Sequence, residues 1–282
     1  MPVETIISDS EATLTDSGFF WRERGGVKVL VCRPLEEAGF VNGFSTRMGG
    51  VSDFPKDSLN LAGFDEDSAD NIYENRKRFL SVFDKQFLLA TAWQVHGDGI
   101  KLVKNEKDAV ESEAKFDGLV SKLDDVLVGV KTADCVPVLI ADTRTRAIAT
   151  VHAGWRGTVQ SIVVRAIETM QREFDSEPKD FIAAIGPAAS GANYEIGQDV
   201  IDAFEAAFST SGKYFRPTRE GHALIDLHLA NKDQLVSSGV PFGAIYTAPF
   251  CTIGRTDLFF SYRVEKRSLG KTGRLLSVIG RA

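Results

Sequence analysis

The chain is poor in histidine and poorer still in cysteine. Among its 282 residues are four histidines and three each of cysteine, methionine and tryptophan. Cys32, Cys135 and Cys251 are odd in number and far apart, which excludes a disulfide framework and points to a reducing, cytoplasmic setting. His96, His152, His222 and His228 are too few for a multi-copper cluster joined to a His2Cys electron-transfer site, so copper oxidase chemistry is disfavoured. No apolar run approaches the ~20 residues needed to span a bilayer. The opening MPVETIISDSEATL lacks the charged-then-apolar pattern of a signal peptide. The net charge is -6 and no stretch is densely basic, so neither nucleic acid nor membrane is an expected partner. There is no repeat, low-complexity tract or Pro/Ser-rich linker, and a single domain over 1–282 is expected.

What is present suits a full core, with 43% hydrophobic and 26% charged residues. Phe19 to Cys32 reads as a hairpin turning at Gly25-Gly26, followed by a strand over 40–45. Residues 46–71 are rich in Gly, Asp, Ser and Asn, and a loop that long is usually functional or disordered. An amphipathic helix is expected over 70–84, with Ile72, Phe79, Leu80 and Phe83 on one face. Strands follow over 86–93 and 100–103, then an exposed acidic excursion over 105–115. Asp117-Gly118 opens a further strand pair. Helices are expected over 157–174, 198–208 and 226–239, and strands over 181–185, 240–247, 258–262 and 275–279. Strands and helices alternate only in part, which predicts α+β with mixed sheets, not a pure parallel wound sheet.

The chain is organised around residues 126–158. Two apolar runs, Val136 to Ile140 and Ala147 to Val151, read as buried strands. Asp134 and Cys135 stand before the first and His152 ends the second, where Ala153-Gly154-Trp155-Arg156-Gly157 turns into a helix. His96 follows another predicted strand. Two imidazoles and a thiolate suit zinc, and three protein ligands leave a fourth position open, as in catalytic sites. Zinc would lower the pKa of a bound water from ~15.7 toward ~7.

The separations of 39 and 17 residues match no short zinc motif. The same atoms permit a nucleophilic Cys135 thiolate with His152 as base and Asp134 as orienting group. A buried core thiol with two satisfied loop histidines is the bland alternative. In extended chain Asp134 points to the face opposite Cys135, as a general acid/base reached by a turn or as a partner of the ligands. Arg156 is a candidate anion contact, or an exposed ion-pair arginine. Trp155 could stack on a flat substrate or pack in the core. His222 and His228 read as surface or capping residues.

These residues resemble the YfiH-like proteins, also called the multicopper polyphenol oxidase (laccase) domain family. Its members include the human laccase-domain-containing protein and bacterial proteins labelled purine nucleoside phosphorylase or peptidoglycan editing factor. The motifs run in family order over nearly the whole chain. They are Phe44-Ser45-Thr46-Arg47-x-Gly49-Gly50-Val51-Ser52, Ser58-Leu59-Asn60-Leu61, Asn75-Arg76, Gln94-x-His96-Gly97, Ala133-Asp134-Cys135-x-Pro137 and His152 to Gly157. Ile185-Gly186-Pro187, Tyr194-Glu195, Asp226-Leu227, Cys251-Thr252 and Thr272-Gly273-Arg274 complete the series. The chain departs from the pattern at Ala62, which precedes Gly63, at Val264 where a second Arg is usual, and in the dense acidic run Asp65 to Asp70.

The resemblance implies a fold like that of cysteine deamidase toxins, a layered sandwich of mixed β-sheets with flanking helices, and one zinc held by His96, Cys135 and His152. It implies phosphorolysis of adenosine, inosine, guanosine and methylthioadenosine and deamination of adenosine, with purine nucleoside and phosphate as ligands; a monomer is expected. Asp134 and Cys135 are then the catalytic candidates. Arg47, Asn60, Gln94 and Arg156 are the substrate candidates, with Arg47 assigned to phosphate. Two rival functions are a cysteine hydrolase or amidase editing peptidoglycan precursors through Cys135 and His152, and a non-enzymatic metal-binding regulatory module.

Overall fold

The computed structural model describes residues 11–62 and 67–282. Gly63, Asp65 and Glu66 of the departing segment lie outside the described residues, as does most of the opening stretch.

Two six-stranded sheets form the centre. The first runs Phe19–Arg24, Val27–Cys32, Phe40–Ser45, Leu275–Arg281, Val126–Thr132, Leu88–Ala90. The second runs Ile245–Thr247, Phe181–Ile185, Val136–Asp142, Ile148–Ala153, Gly118–Ser121, Ile100–Val103. Both are mixed. The first has one parallel edge pair and the second has a parallel pair at each edge.

Every residue of Val136–Asp142 and of Ile148–Ala153 is buried, because both faces of the second sheet are covered. Alternation along the strand decides what each residue meets. Val136, Val138 and Ile140 pack with Ile162, Val163, Ile167 and Met170 of the helix Ile162–Phe174, and with Leu235 of the helix Leu227–Ser237. Leu139 and Ala141 face the other way, into a core shared with Phe44, Val128, Val130 and Ile279 of the first sheet. The far face of the first sheet, through Val29, Leu127 and Val278, packs on Phe79 and Phe83. The result is four layers, helix–sheet–sheet–helix: the mixed sheets expected from the partly alternating pattern, in the layered sandwich that the family resemblance implied.

The hairpin over 19–32 is present, with Gly25 and Gly26 both at positive φ, 59° and 80°. Several expected boundaries move. The 70–84 helix is Ala69–Leu80, capped by the Ser68 hydroxyl. Its buried face includes Asn75, whose amide accepts from Val51 N–H and donates to Ser52 Oγ and the Asn60 carbonyl. Those bonds hold the preceding segment, which is not one long loop but contains the paired strands Met48–Asp53 and Lys56–Ser58. The 157–174 helix is split into Trp155–Val159 and Ile162–Phe174 by Ser161 at φ 59°. The strand expected over 258–262 does not form. Residues Tyr262–Lys266 coil into a π-helical turn, capped by the Ser261 hydroxyl. The 105–115 excursion includes the helix Glu106–Val110, and Lys115 at its end forms an isolated bridge with Trp93.

Candidate metal centre and cavity

Cys135 and His152 meet because of the register of one hairpin. Pro137 pairs with His152 and Val136 with Ala153, so the start of one strand and the end of the next share one end of the sheet. The separation of 17 in sequence is set by the length of that hairpin. His96 arrives from a separate loop. The ligand atoms of His96, Cys135 and His152 lie within 4.8 Å of one another, close enough for a single ion. The two imidazole centroids are 4.8 Å apart and the rings are near perpendicular at 76°. Gly154 leaves room for the two ligands, since a Cβ would sit 3.1 Å from both Cys135 Sγ and His96 Cδ2 and press on them.

Asp117 holds this arrangement, and sequence reasoning missed it. It is fully buried. Its Oδ1 accepts from His152 Nδ1 at 2.8 Å and from His96 N–H at 2.9 Å. Its Oδ2 accepts from Gly97 N–H at 2.8 Å and Val95 N–H at 3.1 Å. Three successive amides wrapped round one carboxylate explain how His96 adopts φ 60°, a conformation that costs a non-glycine residue energy. Burial pushes the Asp117 carboxyl up, but the bonds from His152, Gly97 and Val95 outweigh it and hold it below the usual range. It is therefore an anion, and it fixes the His152 proton on Nδ1, leaving Nε2 for a ligand. The signal was a carboxylate beside a glycine, Asp117-Gly118, at the mouth of an apolar strand.

Burial would raise the Cys135 thiol, but His152 and His96 bring it down to about 6. Burial would lower His152, but the Cys135 thiolate and Asp117 raise it to about 9. The thiol falls and the imidazole rises because each charged form stabilises the other. An anionic sulfur, two imidazoles and an oriented tautomer are the donor chemistry that a borderline-soft divalent ion takes. His222 and His228 stand apart, bonded to the carbonyls of Glu220 and Gly186.

The cluster opens into a cavity of about 850 Å³. Trp93, Trp155, Tyr194 and Tyr262 give it aromatic walls, and Arg76, Lys131, Arg156, Arg263 and Arg274 give it positive charge.

Over residues 41–282 the chain matches the family described as multi-copper polyphenol oxidoreductase laccase. The chain belongs to this family. A purine nucleoside phosphorylase of Bacteroides thetaiotaomicron is 34% identical over 246 residues, covering 83% of this chain and 89% of that one. Purine nucleoside phosphorylase YlmD of Staphylococcus aureus is 33% identical over 259 residues, 89% of this chain and 95% of the other. Among solved structures, YlmD of Geobacillus stearothermophilus superposes with a TM-score of 0.85 at 32% identity, covering 94% and 98% of the two chains. YfiH of Bacillus licheniformis gives 0.85 at 30% identity, covering 94% and 99%. The YfiH-like fold expected from the sequence is the fold observed.

The other expected site residues of this family member divide into two groups. Gln94 and Arg156 line the cavity. The Gln94 amide is committed to Lys131, donating to its carbonyl at 2.7 Å and accepting from its N–H at 2.8 Å. Arg156 lies flat over Trp155, 4.2 Å from the ring centroid. Arg47 and Asn60 do not line the cavity. Arg47 pairs with buried Glu265 at 2.8 Å, donates to the Thr256 carbonyl at 2.6 Å and stacks 4.6 Å from the Phe260 centroid. Its charge is thus paired inside the fold with Glu265, away from the cavity lining. Asn60 Oδ1 accepts from Ala62 and Arg274 N–H, so this side chain ties two loops together. Asp134 borders the cavity and is not extended, as the sequence suggested, but left-handed at φ 82°. Burial raises its carboxyl above the usual range, although donors from Thr252, Arg263 and Ser261 pull the other way.

Among the described residues no helix is long and apolar enough to cross a membrane.

Proposed function

We propose that this chain is a zinc-dependent purine nucleoside enzyme that phosphorolyses adenosine, inosine, guanosine and methylthioadenosine and deaminates adenosine. The observation that carries the reading is the convergence of His96, Cys135 and His152 at the base of a cavity with aromatic and cationic walls. Relatives covering most of the chain bear the name purine nucleoside phosphorylase, which fits that chemistry. Zinc is preferred to a multi-copper centre because His222 and His228 are bonded elsewhere, leaving three ligands and an open position.

When bound, the ion would supply a Lewis acid that polarises a water or a substrate oxygen. The protein's own residues do the rest. Trp93, Trp155, Tyr194 and Tyr262 offer faces for a purine. Arg263, Arg76 and Arg274, rather than Arg47, are the phosphate candidates, with Arg156 beside them. In phosphorolysis a phosphate oxygen bonds to ribose C1′ as the C1′–base bond breaks, and the base leaves with a proton. An anion held by these guanidiniums stabilises the positive charge that develops on the ribose. In deamination a water oxygen bonds to purine C6 and ammonia leaves.

The second reading, a cysteine hydrolase or amidase, is favoured by one observation. Cys135, His152 and Asp117 form a thiolate, an imidazole and an orienting carboxylate, the constellation of a nucleophilic site. The orienting group is Asp117, not Asp134. A nucleoside panel assayed with and without phosphate, read by product mass, together with metal analysis, separates the two. Stoichiometric zinc and phosphate-dependent release of free base support the nucleoside enzyme. Metal-free protein that cleaves amides and leaves nucleosides intact overturns it.

A further inference from the structure

Asp134 is bonded to three separate segments of the chain. Its Oδ1 accepts from Thr252 Oγ1 at 2.6 Å, and its Oδ2 accepts from Ser261 Oγ at 3.0 Å and from Arg263 N–H at 2.7 Å. Its own carbonyl accepts from Ala189 N–H at 2.9 Å. A single residue thus fastens three separate loops to the step Ala133–Cys135, where the chain leaves the first sheet for the second. Three donors fill both acceptor sites of Oδ2 and one of the two on Oδ1, so a proton could enter only on Oδ1, beside the Thr252 bond. The left-handed backbone at φ 82° is strain that the surrounding bonds must offset.

A second buried carboxylate completes the clamp. Ser261 donates its hydroxyl to Asp134 and its N–H to Glu265 Oε2 at 3.3 Å. Glu265 is also held by the Thr272 hydroxyl and by Arg47. The π-helical turn Tyr262–Lys266 therefore has one buried carboxyl group at its start and another within it. That turn carries Tyr262 and Arg263 to the cavity wall, where Arg263 lies 4.9 Å from the Tyr194 ring centroid and donates to the Glu195 carbonyl at 2.8 Å.

We propose that Asp134 is a positioning residue: its carboxylate registers the Tyr262–Arg263 turn against Cys135 and so shapes the wall that receives the substrate. That the substrate is a nucleoside rests on the reading above, whereas the clamp itself does not. Asp134→Asn and Asp134→Gly test it in the zinc-loaded full chain. Both replacements tolerate a left-handed backbone, so neither adds strain at that position, and Asp134→Asn changes the carboxylate alone. Asp134→Asn keeps one acceptor and puts a donor against the other partners. Native-state trypsin cleavage after Arg263, Lys266 and Arg267 reads the turn without reference to activity. Loss of a charge-assisted bond predicts cleavage about 10-fold faster or more in both variants, with metal content unchanged. For the nucleoside that wild type turns over best, KM rises about 10-fold or more while kcat stays within about 3-fold and keeps its pH profile. Ser261→Ala, which leaves Asp134 in place, moves cleavage and KM in the same direction by less. A turn as protected as wild type in Asp134→Asn overturns the proposal. So does a fall in kcat of about 100-fold or more at constant KM with one limb of the pH profile lost, the mark of a proton carrier. If wild type turns over no nucleoside, the functional reading fails and the cleavage pattern still decides the clamp. Should both Asp134 variants fail to fold, unchanged cleavage in Ser261→Ala sinks the proposal.

Discussion

Replacing Asp117 with asparagine removes one formal charge and almost no volume, yet it strikes the centre of the candidate site. Asp117 accepts four hydrogen bonds, from His152 Nδ1 and the N–H groups of Val95, His96 and Gly97. Asparagine retains one acceptor oxygen and presents an NH2 in place of the other. In the better orientation Oδ1 keeps His152 and His96, and the Val95 and Gly97 amides face a donor. A bond to a charged group contributes about 1.5–3 kcal/mol, so losing two costs about 3–6 kcal/mol before relaxation. Against a total stability of about 5–15 kcal/mol that is a large fraction. The metal pays separately, because His152 loses the anion that fixes its tautomer, and such losses weaken metal binding by about 10–100-fold. Denaturant unfolding of the zinc-free protein reads the first effect. Competition with a chromophoric zinc chelator reads the second. Asp117→Asn protein with zinc affinity within about 2-fold of wild type and an unchanged unfolding midpoint would refute the role given to this carboxylate.

Cys135→Ala should lose stoichiometric metal while keeping the far-UV circular dichroism of the folded chain; retained stoichiometric metal would remove the thiolate from the ligand set. In metal-free protein, iodoacetamide labelling of Cys135 should rise to half its maximum near the thiol's value of about 6, not 9.0, and zinc should protect it. The thiol is lowered in the fold, so its contribution to stability is complete above 9.0 and lost as pH falls through about 6. His152 is raised, so its contribution is complete below 6.5 and lost as pH rises through about 9. The two offset between 6.5 and 9, which makes thiol reactivity, not melting temperature, the informative measurement. Arg47→Ala should act on stability and not selectively on phosphate. It strands Glu265 in the interior, at a cost of about 3–5 kcal/mol by denaturant unfolding. A raised phosphate KM with unchanged stability would return Arg47 to the substrate.

What the sequence by itself determined is local and periodic. The apolar runs 136–140 and 147–151 are strands because nothing polar interrupts them. Asp134, Cys135 and His152 stand out because they interrupt an apolar pattern. Gly25-Gly26 specifies its turn through φ, and family order carries the fold. These signals lie within a few residues of one another, so pattern and propensity suffice to read them. Only the tertiary structure decided how distant carboxylates and guanidiniums are matched. Asp117 and Asp134 read alike in sequence, each an aspartate beside a small or reactive residue at a strand mouth. Folding turns Asp117 to His152 and three amides, and Asp134 to Thr252, Ser261 and Arg263, more than 115 residues away. Arg47 and Arg263 likewise both follow short polar motifs. The first is neutralised by Glu265 and the second reaches the cavity. Charge pairing in a buried interior depends on which groups the chain brings within a few ångströms, and neither periodicity nor spacing along the sequence encodes that distance.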